Sequence, residues 1–250
     1  MSLRGRKNKP GHITFVGSGP GDPGLLTTRA RTVLANAALV FTDPDVPDAV
    51  LALVGCELPP PSGPLPEVTD QAARATTDDA GQADDAKAAD VQDAVAVIPG
   101  GPDVRPALGD PAEVAKTLAT EARTGVDVVR LVAGDPLSID AVITEVNALA
   151  RTQLSFEIVP GLPDTTAVPT YAGLPLGSAH TVADVRGDVD WAALAAAPGP
   201  LILHATASHL PDAARTLIEY GLSDNTPTVV TAHGTTCQQR SIETTLAGLL

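Results

Sequence analysis

The chain has 250 residues, 16 Lys and Arg against 30 Asp and Glu for a net charge of −14, and 2% aromatic residues. That balance excludes a general nucleic-acid binder, which should be basic and carry aromatics for stacking, and argues against aromatic-lined sugar pockets. An apolar share of 44% leaves an α/β enzyme acting on a small molecule open, and the length calls for two domains.

Cys56 and Cys237 are too few for a disulfide framework or a cysteine zinc site. No run of about 18 apolar residues could span a membrane. The basic start, residues 1–10, lacks the apolar stretch of a signal peptide. A cytoplasmic protein with a flexible basic terminus is therefore expected.

In chain order, residues 12–16 read as a strand that ends in the loop Gly17-Ser18-Gly19-Pro20-Gly21-Asp22-Pro23-Gly24. A helix follows from about Thr27, with Ala30, Val33, Leu34 and Ala37 at helical spacing. Residues 39–41 form a second strand that ends at Thr42-Asp43, so the chain opens as strand, loop, helix, strand, the start of a parallel sheet. The composition then changes. Residues 67–93 hold eight acids and two bases behind a proline-rich run, with few large apolar residues. Little burial can offset the ordering entropy there, so an acidic disordered insert is expected over about 57–100.

Order is expected again at Gly109. Asp110 can cap a helix that has Pro111 at its first position, Glu113 in its first turn and Gly125 as its stop. Residues 128–132 read as a buried strand ending in Ala133-Gly134-Asp135-Pro136. A helix over 139–149 and a strand over 156–159 follow. Beyond these come a strand at 201–204, a helix at 210–220 stopped by Gly221, and strands at 228–232 and 240–244. The domains are expected at 11–136 and 137–250.

The glycine loop lacks the third glycine of a dinucleotide fingerprint, since Asp22 stands at that position. Pro20 and Pro23 also remove N–H donors that a phosphate cradle would use. The loop therefore reads either as a plain turn or as a tight turn beside a ligand without phosphates. Gly-Asp-Pro occurs at 21–23, 109–111 and 134–136. The first and third copies follow strands, at the ends where α/β sheets bind ligands. Asp43, also at a strand's C-terminal end, can serve as a general base. His12, His180, His204, His209 and His233 show no metal-ligand spacing, and there is no nucleophile elbow, so neither a metal site nor a hydrolase is expected. Arg130 lies within a strand, with a structural role and a substrate-binding role both open.

Taken as an ordered series, these segments resemble the tetrapyrrole (corrin/porphyrin) methylases, and more narrowly uroporphyrinogen-III C-methyltransferase. The matching stretches are Gly17 through Thr27, Val129-Arg130-Leu131 with Gly134-Asp135-Pro136, and Glu157-Ile158-Val159-Pro160-Gly161. Tyr171-Ala172-Gly173-Leu174-Pro175-Leu176 and Gly234-Thr235-Thr236 with Gln239-Arg240 complete the series. The resemblance implies two α/β domains with S-adenosylmethionine, and no metal, in the cleft between them. It implies a homodimer acting on a tetrapyrrole on the sirohaem and cobalamin routes. Its cofactor contacts fall on Pro20, Ala133, Gly134, Asp135, Ser138, Pro163, Asp164, Ala205 and Gly234, and its catalytic base on Asp43. It also implies one further strand after Leu250.

The sequence departs from the family at several of these places. Thr42-Asp43-Pro44 replaces Tyr-Asp-Arg, and the segment with the family's assisting lysine is replaced by the acidic stretch. Ala205 replaces a cofactor-contacting methionine, and the chain's only methionine is Met1. These departures carry a second reading: a non-catalytic methylase domain that scaffolds or regulates a fused or partner uroporphyrinogen-III synthase.

Overall fold

The computed structural model describes residues 9–56 and 101–250. The expected insert and nearly all of the expected basic terminus lie outside the described residues. Five strands, β1 (Ile13–Gly17), β2 (Leu39–Thr42), β3 (Asp103–Pro106), β4 (Val128–Val132) and β5 (Phe156–Val159), form one parallel sheet in the order β3-β2-β4-β1-β5. The sequence explains the arrangement. A parallel sheet is covered on both faces, so its strands read as continuous apolar runs, and every residue of β1 and β4 is buried.

The two faces separate by the two-residue period of a strand. Ile13, Phe15, Leu39, Phe41, Val128 and Val132 pack against α3 (Pro111–Arg123) and α4 (Asp140–Ala150). Val16, Val40, Val129, Leu131 and Val159 pack against α1 (Thr28–Ala35) and α2 (Asp48–Leu51). The helices following β1 and β4 thus leave on opposite faces, although β1 and β4 are neighbours. Loops that diverge this way leave a crevice beyond the strand ends.

The cap at Asp110 and the stop at Gly125 follow the sequence expectation, and the structure adds a cap at Thr27. Thr27 accepts a hydrogen bond from the Ala30 N–H at 3.1 Å, and Asp110 accepts one from the Ala112 N–H at 2.8 Å. Gly125, at φ +99°, sits just past the end of α3.

Two expectations need correction. Order returns at β3, before Gly109, and β3 pairs in parallel with β2. Its signal is faint because it is a short edge strand in which Val104 is flanked by Asp103, Arg105 and Pro106. Arg105 stacks over the Phe41 ring at 5.7 Å. The division between sheets also does not fall at residue 137, because β5 pairs with β1, so α4 and β5 belong with the first sheet.

After β5 come α5 (Asp164–Tyr171), β6 (Thr181–Asp184), α6 (Trp191–Ala195), β7 (Leu201–His204), α7 (Leu210–Glu219), β8 (Pro227–Ala232) and β9 (Arg240–Thr245). Strands β6 and β7 pair in parallel, and β8 and β9 antiparallel. A separate core of Val185, Leu194, Ala213, Ala214, Leu217 and Leu246 holds this half together. Among the described residues, no helix is long and apolar enough to cross a membrane.

Candidate active site

The crevice is built by backbone approach. Gly19 and Gly134 exchange N–H···O=C bonds at 3.2 and 3.1 Å, tying the loop after β1 to the loop after β4. Gly161, after β5, packs against both: a Cβ there would overlap the Gly134 carbonyl oxygen, and a Cβ on Gly17 would overlap the Gly161 amide nitrogen. Only glycine lets three backbones meet so closely. The Asp135 carboxylate accepts from the Gly161 N–H at 3.1 Å, and the Ser138 hydroxyl donates to the Asp135 carbonyl at 2.7 Å. Gly134, at φ +67°, has open space where a side chain would project.

The second half closes over these loops. The Asp22 N–H donates to the Thr235 hydroxyl at 3.2 Å, and the Tyr171 hydroxyl donates to the Asp22 carboxylate at 3.2 Å. Burial, then the charge of Asp22, raises the Tyr171 pKa, so the phenol stays protonated. Gly234 lies against Val168 of α5, and its carbonyl oxygen would stand 3.4 Å from a Cβ on Gly21. Asp164, at the start of α5 after its N-cap Pro163, lies 3.6 Å from the His204 ring, beside Ala205. His233 and Thr235 have positive φ, at 50° and 64°, an uncommon conformation for residues with side chains. They flank Gly234 at the point where this turn meets the glycine loop.

Asp43 stands one strand over. Its N–H donates to the Leu131 carbonyl at 3.1 Å, and its carboxylate lies 2.5 Å from the Arg130 guanidinium. Arg130 alternates onto the α4 face of β4, where Glu145 of α4 accepts from its Nε and Nη2, both at 2.9 Å. Burial works to lower the Arg130 pKa, but the bond to Glu145 and the charge of Asp43 raise it on balance. Burial pushes the Glu145 carboxyl up, with Arg130 opposing. Arg130 is therefore a buried cation paired within the protein, which speaks against the substrate-binding role that its sequence left open. A half-exposed guanidinium instead comes from Arg186, which donates to Asp184 at 2.8 and 2.6 Å. Its pKa is raised first by Asp184, against burial, and further by Asp45 and Asp164.

The model of the tetrapyrrole (corrin/porphyrin) methylase family matches residues 12–250. The chain belongs to this family. Siroheme synthase 1 of Yersinia enterocolitica is 30% identical across 100% of this chain and 47% of its own length. An S-adenosyl-L-methionine-dependent uroporphyrinogen III methyltransferase of Methanosarcina barkeri is 28% identical, across 96% of this chain and 84% of its own. The chain thus spans about half the length of the siroheme synthases it matches. Among solved structures, uroporphyrin-III C-methyl transferase of Thermus thermophilus, complexed with S-adenyl homocysteine, superposes with a TM-score of 0.70. Its identity is 23%, over 96% of this chain and 90% of that one. That likeness shows the fold.

Of the site residues expected from sequence, Gly134, Asp135 and Ser138 gather on one loop, and Gly134 bonds to Gly19, the neighbour of Pro20. Ala133 precedes them at the end of β4 and packs against the α1 side of the core. Asp164, which follows Pro163, lies 3.6 Å from His204, the residue before Ala205, and Gly234 meets the glycine loop. Sequence reasoning missed Glu145, Arg186 and Tyr171 as site neighbours. The isolated glutamate within an apolar helix and the Tyr171–Leu176 stretch gave a signal, and Arg186 gave none. Among the described residues, no group of three or more His, Cys, Asp or Glu could hold a metal ion.

Proposed function

We propose that this protein is an S-adenosylmethionine-dependent C-methyltransferase acting on uroporphyrinogen III, on the sirohaem and cobalamin branch of tetrapyrrole synthesis. The supporting observation is the crevice where loops from both halves converge, with Asp43 at the adjacent strand end. The residues fit the cofactor. The crevice is open at Gly134, the prolines Pro20 and Pro23 leave few phosphate donors, and the carboxylates of Asp135 and Asp164 suit ribose hydroxyls and an amino group. Pro20, Ala133, Gly134, Asp135 and Ser138 would hold one side, and Pro163, Asp164, Ala205 and Gly234 the other.

When bound, the cofactor supplies a methyl already activated on a sulfonium. The protein then mainly has to hold the nucleophilic ring carbon in line with it. The methylated ring carbon is then fully substituted and carries no hydrogen, so Asp43 takes a proton from elsewhere on the cationic pyrrole system, and the electrons of that bond return to the system and neutralise it. Arg186, half-exposed beside Asp184, would meet a substrate carboxylate. A homodimer in the cytoplasm belongs to the same reading, and a fused or partner uroporphyrinogen-III synthase to the non-catalytic alternative.

The test is incubation with S-adenosylmethionine and uroporphyrinogen III. Methylated product is expected, and Asp43→Asn should abolish it while S-adenosylhomocysteine still binds in a calorimetric titration. Binding without turnover on uroporphyrinogen or precorrin substrates would favour the non-catalytic scaffold instead.

A further inference from the structure

Asp43 is held from behind by two residues that no cofactor or substrate needs to touch. In the sheet, Phe41 of β2 lies beside Arg130 of β4, so the alternation that sends Phe41 toward α4 also sends Arg130 and Asp43 there. Glu145 projects from α4 into the same layer. Arg130 and Glu145 are 3% and 2% exposed, against 18% for Asp43. All three guanidinium nitrogens are engaged: Nε and Nη2 with Glu145, Nη1 with the Leu131 carbonyl at 3.1 Å, and Nη2 again with Asp43 Oδ1 at 2.5 Å. A planar guanidinium fixed on that many sides cannot turn, and it fixes the oxygen it holds.

We propose that the Arg130–Glu145 pair is a positioning clamp for Asp43, gripping Oδ1 and presenting Oδ2 to the proton it removes. The clamp rests on the reading of Asp43 as the base. Core stability does not call for it. A buried ion pair is often no more stabilising than an apolar pair of the same volume, and Arg130 with Glu145 is already charge-balanced without Asp43. The third charge leaves two carboxylates on one cation. When Asp43 takes up the proton, that excess negative charge is cancelled and the Arg130–Glu145 pair is left intact. The other charges on this face are engaged elsewhere, Arg105 with Asp103 and Glu121. In the second half, Arg186 is engaged with Asp184.

The test compares wild type with Glu145→Gln, which keeps the shape and removes the charge, and with Arg130→Lys, which keeps the charge and removes the fork. Both should lower kcat by about tenfold or more, equivalent to ~1.4 kcal/mol, with KM and S-adenosylhomocysteine affinity unchanged. The side-chain carboxyl 13C resonance of Asp43, assigned by its loss in Asp43→Asn, should be displaced in both variants. Unchanged kcat with an unmoved resonance overturns the proposal, and so does unfolding of both variants, which would assign the pair to the core. If wild type shows no turnover, the functional reading fails and the resonance alone judges the clamp: displacement supports it and constancy overturns it.

Discussion

The meeting of three glycine backbones makes Gly161→Ala the sharpest probe of the crevice. The backbone of Gly161 does not have a positive φ, so alanine adopts its conformation freely and the whole effect is steric. The new methyl would overlap the Gly134 carbonyl oxygen and stand 3.0 Å from the carbonyl carbons of Gly134 and Gly17. No flexible side chain can give way, so the loops must separate. Forced overpacking costs about 1–3 kcal/mol. The charge-assisted bond from Gly161 N–H to Asp135 at 3.1 Å is lost as they part, adding roughly 1.5 kcal/mol or more. At about 2–4 °C per kcal/mol for a chain of this size, the Tm should fall by roughly 5–15 °C. If even ~1.4 kcal/mol reaches the binding equilibrium, S-adenosylhomocysteine affinity falls about tenfold. Scanning calorimetry and a calorimetric titration read the two effects. Gly187→Ala is the control, because a Cβ there meets nothing within 4 Å. A Gly161→Ala protein that melts and binds like Gly187→Ala would refute the backbone-contact account.

The described contacts set four further outcomes. Arg130→Met strands the Glu145 carboxylate in the core and should cost about 3–5 kcal/mol in urea unfolding. Glu145→Gln should cost less, because Asp43 still partners Arg130. The raised pKa of Glu145 means that its contribution is fully present below the ordinary carboxylate range and declines as pH rises through its folded value. Glu145→Gln should remove that decline from the stability–pH curve. Asp184 has the opposite sign. The bond from Arg186 lowers its pKa from 3.8 to about 2, so its contribution, present at neutral pH, is lost as pH falls through that window. Both groups are half-exposed, so the loss stays under about 1 kcal/mol, and Asp184→Asn should flatten the acid limb by that amount. Asp110→Ala removes the cap of α3 and should lower stability by about 1 kcal/mol, read as a shift in urea midpoint.

The sequence by itself determined the elements whose signals are local. Continuous apolar runs gave β1 and β4, because a strand covered on both faces needs no alternation. Asp110, Pro111 and Gly125 bounded α3 because capping is satisfied within a few residues. The glycine loop and Gly134-Asp135-Pro136 were legible as ligand-side turns because they follow strands. Elements with weak local preference were not legible: β3 is a four-residue edge, and α5 carries Pro169 within it and two threonines in its first turn. The assignment of β5 to the first sheet was decided only by its pairing with β1. The site's electrostatics were likewise decided by packing. Arg130 and Glu145 lie 15 residues apart, and Asp22 and Thr235 lie 213 apart. A side chain's charge is written in the sequence, but whether that charge faces solvent, a partner or a substrate depends on strand register and helix packing. That is why Arg130 could be read two ways from the sequence and only one way once β4 lay beside β2 and under α4.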